Sequence, residues 1–314
     1  MEKQSKILII GHNDIIEKSL VRYFETHGFL HVFSSSAIAL DCAIQPSVYE
    51  FFSRERPEYI FLASTRSGGI AANIKNPGEF IYHNLESQNN VVHAAYKFKA
   101  KKLLFYASSC IYPKECRQPM KEEDLLNGPV ESTSEAYAVA KISGVKLCQA
   151  YRAQYGLDTV VTVPATVFGP GEDVDLEDAH VLNALIGKFY EAVQDNKKDV
   201  TVWGSGSPRR EFLFCDDFVE ASLFLMDRAR SPELMNMGCG SDVSIQELAQ
   251  MIKEVSGFAG KIVFDRSKPD GANQKLLDSS RIHRLGWKAK ISLRDGIEKT
   301  YAWYKKKRET ESRQ

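Results

Sequence analysis

Lys6-Ile7-Leu8-Ile9-Ile10-Gly11 is a short, almost continuously apolar run closed by a glycine, the form expected of a strand buried on both faces of a parallel sheet. Tyr59-Ile60-Phe61-Leu62-Ala63 and the runs 102–107 and 159–163 repeat the pattern. Between them, residues 18–27, 48–54, 86–97 and 135–155 have the composition of helices. Strand-helix-strand alternation at this spacing predicts an α/β fold, a doubly wound parallel sheet with right-handed crossovers. Ser132 and Glu135 have the spacing of a capping box opening the helix 135–155. After Pro164 the rhythm breaks into loops rich in Gly, Pro and acid. The expected organisation is a main region over 1–166, rejoined by about 211–233. A smaller C-terminal region of 167–210 and 234–304 would lie over the carboxyl ends of the strands. Residues 305–314 read as a disordered tail.

Composition narrows the classes of function. The chain has 314 residues, enough for a large core, with 43% hydrophobic and 26% charged residues. Lys+Arg and Asp+Glu both number 41, so bulk electrostatics favour neither nucleic acid nor an anionic membrane. No apolar stretch is long enough to span a bilayer. Cysteines 42, 110, 116, 148, 215 and 239 lack CxxC spacing, so neither a zinc site nor a disulfide framework is suggested, and a reducing cytoplasm fits.

Chemistry is concentrated at Tyr137 and Lys141. Residues four apart share one face of a helix, and an ammonium beside a phenol favours phenolate. Such a tyrosine can exchange a proton with a carbonyl or alcohol oxygen, and Ser108, from the end of the apolar run 102–107, would hold that oxygen. In a Rossmann-type fold Gly11 should begin a GxxGxxG turn that lets the backbone approach a dinucleotide pyrophosphate. The run here is Gly11-His12-Asn13-Asp14-Ile15-Ile16-Glu17, with Asp14 and Glu17 at the second and third glycine positions. Two readings stand. The carboxylates repel a diphosphate, by roughly 1 kcal/mol per unit pair in water and more in protein; or they stabilise the helix N-terminus themselves, in the role a phosphate would fill. After the second strand, Ser34-Ser35-Ser36 holds no arginine for a 2′-phosphate, though its hydroxyls can bond one.

Further landmarks occur in one order: Ser67-Gly68-Gly69-Ile70, Glu79-Phe80-Ile81-Tyr82-His83-Asn84-Leu85, Ser108-Ser109-Cys110-Ile111-Tyr112-Pro113, Phe168-Gly169-Pro170-Gly171, Asp178-Ala179-His180-Val181-Leu182 and Trp203-Gly204-Ser205-Gly206-Ser207-Pro208-Arg209-Arg210-Glu211-Phe212. With the Tyr137–Lys141 helix they resemble the GDP-L-fucose synthase family of the extended short-chain dehydrogenase/reductases, over nearly the whole chain. The resemblance implies C3/C5 epimerisation and C4 reduction of GDP-4-keto-6-deoxy-D-mannose with NADPH. It makes Cys110 the base and His180 the acid for inversion, Tyr137 the proton donor to the C4 oxygen, and Lys141 a ligand of the nicotinamide ribose. It puts Ala63 and Pro164 beside the cofactor, with Gly11, Ser34 and Ser35. It puts Lys188, Arg210 and Asp270 on the GDP-sugar, and implies a homodimer through the helices around 86–97 and 135–155. At Thr166 the family usually has asparagine, which bears on the sugar bound.

Several alternatives remain open on the residues alone. Cys110 reads also as a small core hydrophobe and His180 as a structural hydrogen-bonder; Trp203 either stacks on the nucleotide or sits in the core. Arg209 reads as a surface neighbour, and the acidic run Glu172, Asp173, Asp175, Glu177 and Asp178 as a solvated loop rather than a metal site. Besides the full epimerase-reductase, an epimerase without hydride transfer and a non-catalytic GDP-sugar binder are compatible with the altered loop.

Overall fold

A computed structural model describes residues 1–12, 14–63, 66, 68–171, 180–229, 232–268 and 270–311, without the side chains of 70 and 71. The first half alternates strands and helices: β1 Lys6–Ile10, α1 Ile15–Thr26, β2 His31–Ser34, α2 Gln45–Glu55, β3 Tyr59–Leu62, α3 Ile70–Lys75, α4 Pro77–Lys97, β4 Lys102–Tyr106, α5 Glu135–Tyr155 and β5 Thr159–Pro164. The second half holds β6 Thr166–Phe168, α6 Val181–Gln194, β7 Asp199–Trp203, β8 Arg209–Arg210, β9 Phe212–Phe214, α7 Cys215–Met226 and β10 Leu234–Met237. It ends with β11 Val243–Ser244, α8 Ile245–Ser256, β12 Lys261–Asp265, β13 Gln274–Lys275, α9 Ser280–Arg284 and α10 Leu293–Glu311.

The main sheet runs β10-β5-β4-β3-β1-β2, parallel throughout, as the apolar runs predict. Its strands are apolar because helices cover both faces: Ile7–Ile10 and Leu103–Phe105 have no exposed surface. The chain leaves β1 for β2 on one side and returns to β3 on the other. The carboxyl ends of β1 and β3 therefore flank a crevice, the place where such sheets bind ligands. The Ala63 amide donates to the Ile10 carbonyl there (2.8 Å) and ties the two strand ends together.

Three sequence expectations are corrected. Leu234–Met237, assigned above to the smaller region, is the edge strand of the main sheet, because its four residues pair with Val161–Pro164. Residues 305–311 are not a disordered tail. They continue α10, anchored upstream by Ile297, Thr300, Tyr301 and Tyr304, which are buried. The capping box at Ser132 does not form: residues Ser132–Ser134 make a 3₁₀ turn, Ser134 is the N-cap of α5, and the Ser132 hydroxyl bonds Glu131 instead.

The smaller region packs β7 with β12 and β8 between β11 and β13, flanked by α6, α8 and α10. Buried polar groups tie it to the main sheet. Asn236, on β10, accepts from the Tyr112 hydroxyl (2.5 Å) and donates to the Met120 and Asp278 carbonyls. Its amide donates to Glu122 (3.0 Å). Glu211 accepts from the amides of Gly240 (2.7 Å) and Leu277 (2.9 Å).

α5 approaches β4 closely at Gly144, where an added Cβ would lie 2.3 Å from Phe105 Cζ and 2.6 Å from Gln88 Oε1. Phe105 is fully buried and Gln88 donates to the Ala140 carbonyl, so neither yields easily. Overpacking costs about 1–3 kcal/mol, against roughly 1 kcal/mol of helix propensity gained by alanine. With both contacts well under 3.0 Å the cost lies at the upper end of that range, so Gly144→Ala is expected to destabilise the fold by about 2 kcal/mol, read as a lower urea midpoint at unchanged slope. An unaltered midpoint would mean that α5 slides outward at no cost.

Candidate active site

The reactive groups meet where β4 ends and α5 begins. Tyr137 and Lys141 lie one turn apart at the start of α5. The Lys141 Nζ donates to the Tyr106 carbonyl at the end of β4 (2.7 Å) and stands 5.9 Å from the Tyr137 ring centre and 4.6 Å from that of Phe105. Burial draws its pKa down to about 7, opposed by negative charge at Cys110, Asp14 and Cys148. Lysine, tyrosine and cysteine thus share one electrostatic neighbourhood with the α1 N-terminus.

Just after β4, Ser108 caps a short 3₁₀ turn, accepting from the Cys110 amide (3.5 Å). Cys110 is 7% exposed. Burial pushes its thiol up; the hydrogen bond to Ser108 and the charges of Lys275 and Lys141 act downward without prevailing. Cations therefore stand near the thiol, but burial decides the net direction.

His180 is the N-cap residue of α6, and its side chain does not cap. The residue is exposed at the start of the helix, yet the atoms packed around its ring desolvate it and lower its pKa. Among the described residues the ring makes no hydrogen bond to Cys110 or Tyr137. The acidic run 172–178 before it lies outside the described residues.

The predicted sugar-nucleotide residues form a second group on the smaller region. Trp203 is 59% exposed, which removes the core reading; Lys188 and Lys268 stand 5.3 and 5.2 Å from its ring centre. Lys188 also donates to the Thr201 carbonyl (3.0 Å). The Ser205 side chain, and then its amide, which donates to Asp270 (2.9 Å), hold the Asp270 carboxyl below the ordinary range. Asp270 packs so close to Gly204 that an added Cβ there would lie 2.3 Å from its oxygen. Arg210 donates to the carbonyls of Arg209 (2.8 Å) and Ala272 (2.7 Å); burial lowers its pKa, and Asp270 opposes the shift. Arg209 is a surface residue, paired with Asp242 and Glu247.

Lys275 was not anticipated. It lies opposite Arg210 in the β8–β13 pairing and its charge reaches Cys110, so it joins the two groups. A two-residue strand in an irregular stretch gives no periodic signal by which a sequence reading could find it.

At the other end of the crevice, Asp14 is the N-cap of α1, accepting from the Glu17 amide (3.0 Å). Burial raises its pKa, and those backbone bonds oppose the rise. The helix-stabilising reading therefore describes Asp14. Glu17, 2% exposed, turns to the loop after β2. It accepts from the hydroxyls of Ser34 (2.7 Å), Ser36 (2.6 Å) and Ser35 (3.4 Å) and from the Ser36 amide (3.1 Å). Gly11 is required here, since a Cβ on it would lie 2.8 Å from that of Glu17. Ser35 also accepts from the Gly11 amide (3.2 Å).

Comparison with known proteins decides the family. The model of the NAD dependent epimerase/dehydratase family matches residues 7–238. A protein named putative GDP-L-fucose synthase 2 from Arabidopsis thaliana is 47% identical over 304 residues, 97% of this chain and 93% of that protein. GDP-L-fucose synthase of Escherichia coli K12 is 42% identical, covering 97% of each chain. The chain belongs to the GDP-L-fucose synthase family. Among solved structures, a GDP-mannoheptose C4 reductase from Campylobacter jejuni with NADP bound superimposes at a TM-score of 0.88 with 37% identity, over 97% of this chain and 99% of that one. As a GDP-L-fucose synthase family member, the chain is an epimerase/reductase-type enzyme with a Rossmann-type sheet. The family's hydride carrier is tested by the residues present. Gly11, Ser108, Tyr137 and Lys141 fit the nicotinamide half and the close approach of backbone to phosphate. Asp14 and Glu17 alter the phosphate and adenosine half.

Proposed function

We propose that the chain converts GDP-4-keto-6-deoxy-D-mannose, or a close analogue, by inverting C3 and C5 and reducing C4 with NADPH. The observation that carries this is the grouping of Ser108, Cys110, Tyr137 and Lys141 at one strand end, in a chain 42–47% identical over most of its length to GDP-L-fucose synthases.

Each residue has a step that its chemistry suits. The 4-ketone acidifies the hydrogens on C3 and C5, so Cys110 removes a proton and leaves an enolate whose charge rests on the C4 oxygen. His180 returns a proton from the other face; desolvation makes its imidazolium a stronger acid, present in smaller amount. Ser108 bonds the C4 oxygen, which collects negative charge in both stages, and Tyr137 protonates it on reduction. Lys141 supplies positive charge below the tyrosine and holds the nicotinamide ribose. The dinucleotide, when bound, supplies the hydride for C4. Arg210 suits the diphosphate of GDP, Trp203 offers an exposed ring for stacking, and Lys188 and Asp270 border the same surface.

The same reading makes the chain a cytoplasmic homodimer through α4 and α5, whose outer faces expose Tyr82, Tyr96, Val139 and Tyr155. Incubation with the 4-keto sugar nucleotide in deuterated water tests the function. Expected are deuterium at C3 and C5 without NADPH, and GDP-L-fucose with one NADPH oxidised per product when it is added. Reduction with no deuterium at either carbon would leave a C4 reductase and overturn the bifunctional reading.

A further inference from the structure

In doubly wound dinucleotide folds, the residues after the second strand distinguish the adenosine ribose: a carboxylate accepts from its 2′-hydroxyl, whereas cationic or neutral donors receive a 2′-phosphate. Here that place is the loop from Ser34 to Ser36, which contributes three hydroxyls and the Ser36 amide. All four are within hydrogen-bond distance of one carboxylate, Glu17, which comes from α1 rather than from the loop. A buried carboxylate needs such donors, and a 2′-phosphate would need the same ones. Both anions cannot hold them together. The geometry points to Glu17 as a specificity-determining residue that occupies the 2′-phosphate donors and so removes the enzyme's preference for NADPH over NADH. This deepens the dinucleotide dependence proposed above and rests on it.

The surroundings are consistent with a ligand-sized opening at this spot. A cavity of about 750 Å³ is lined by His12, Glu17, Lys18, Arg22, Ser34 and Ser36 among others. Arg22, a cation on its wall, is engaged with Asp216 (2.8 Å) and the Pro170 carbonyl (3.2 Å). The ribose diol of NADH can donate to Glu17, so the unphosphorylated cofactor meets an acceptor where NADPH meets a like charge.

Calorimetric titration of NADPH, NADH and GDP into the full chain and into Glu17→Gly tests the assignment. Wild type is expected to bind NADH at least as tightly as NADPH. Glu17→Gly should tighten NADPH by on the order of tenfold, with NADH unchanged or weakened through the lost acceptor for its ribose. Glu17→Gln, which keeps the volume and removes the charge, guards against a glycine-weakened helix and should shift the ratio in the same direction. Equal effects on the two cofactors, or no gain for NADPH in either variant, overturn the proposal while dinucleotide dependence stands. If GDP binds but no dinucleotide binds to any of the three chains, the oxidoreductase reading itself falls, and this assignment with it.

Discussion

Tyr137→Phe is expected to slow C4 reduction by roughly 10²–10⁴-fold, the range for losing a positioned general acid. The ring is retained, so packing at the start of α5 is unchanged and GDP should bind as in wild type. Inversion at C3 and C5 relies on other groups, and deuterium entry at both carbons should persist. Single-turnover oxidation of NADPH, followed with the exchange measurement, separates the two stages. A loss below about fivefold would show that water or another residue protonates the C4 oxygen. Lys141→Met should lower reduction as well, because at a pKa of about 7 the lysine is partly charged in the neutral range and its charge favours the phenolate as the tyrosine gives up its proton.

Cys110→Ser should abolish deuterium entry at C3 and C5 while sparing reduction of a 4-keto substrate that needs no inversion. A serine hydroxyl is a far weaker acid than a thiol and gives too little anion to replace it as a base. The pH dependence follows from burial. The Cys110 thiol lies above its ordinary value of 9.0, so its thiolate fraction is small at neutral pH and still growing beyond pH 9. Exchange limited by proton removal is therefore expected to rise with pH through that range without levelling at 9, whereas inversion, which also needs the shrinking fraction of His180 imidazolium, should not follow it. Wash-in by Cys110→Ser at the wild-type rate would remove the base assignment. A plateau well below pH 9 would mean that bound substrate brings the thiol down.

The parallel sheet was legible because its strands are buried on both faces and therefore carry unbroken apolar runs. Lys6–Ile10 was readable to the residue for this reason, as was the helix Glu135–Tyr155, bounded by Ser134 and by Gly156 in the left-handed conformation. Leu234–Met237 was misplaced because a four-residue edge strand holding an asparagine carries little pattern, and its partner lies some seventy residues earlier in the chain. The helix beyond Lys305 was missed because its last turns are charged and solvated; they follow from the buried turns before them rather than from their own composition.

By itself the sequence determined the layered α/β fold, the order of strand, Ser-Ser-Cys turn and Tyr-x-x-x-Lys helix, and hence the family, since each depends on residue type and spacing along one stretch of chain. Tertiary structure alone decided what the charges do. Asp14 and Glu17 are acids three residues apart at the start of α1, yet the first caps the helix and the second crosses to Ser34–Ser36, because only folding brings β2 beside α1. Trp203 is exposed and Lys275 reaches Cys110 for the same reason. Burial and distance act between segments far apart in sequence, and they set whether a carboxylate repels a cofactor, replaces part of it or stabilises a helix.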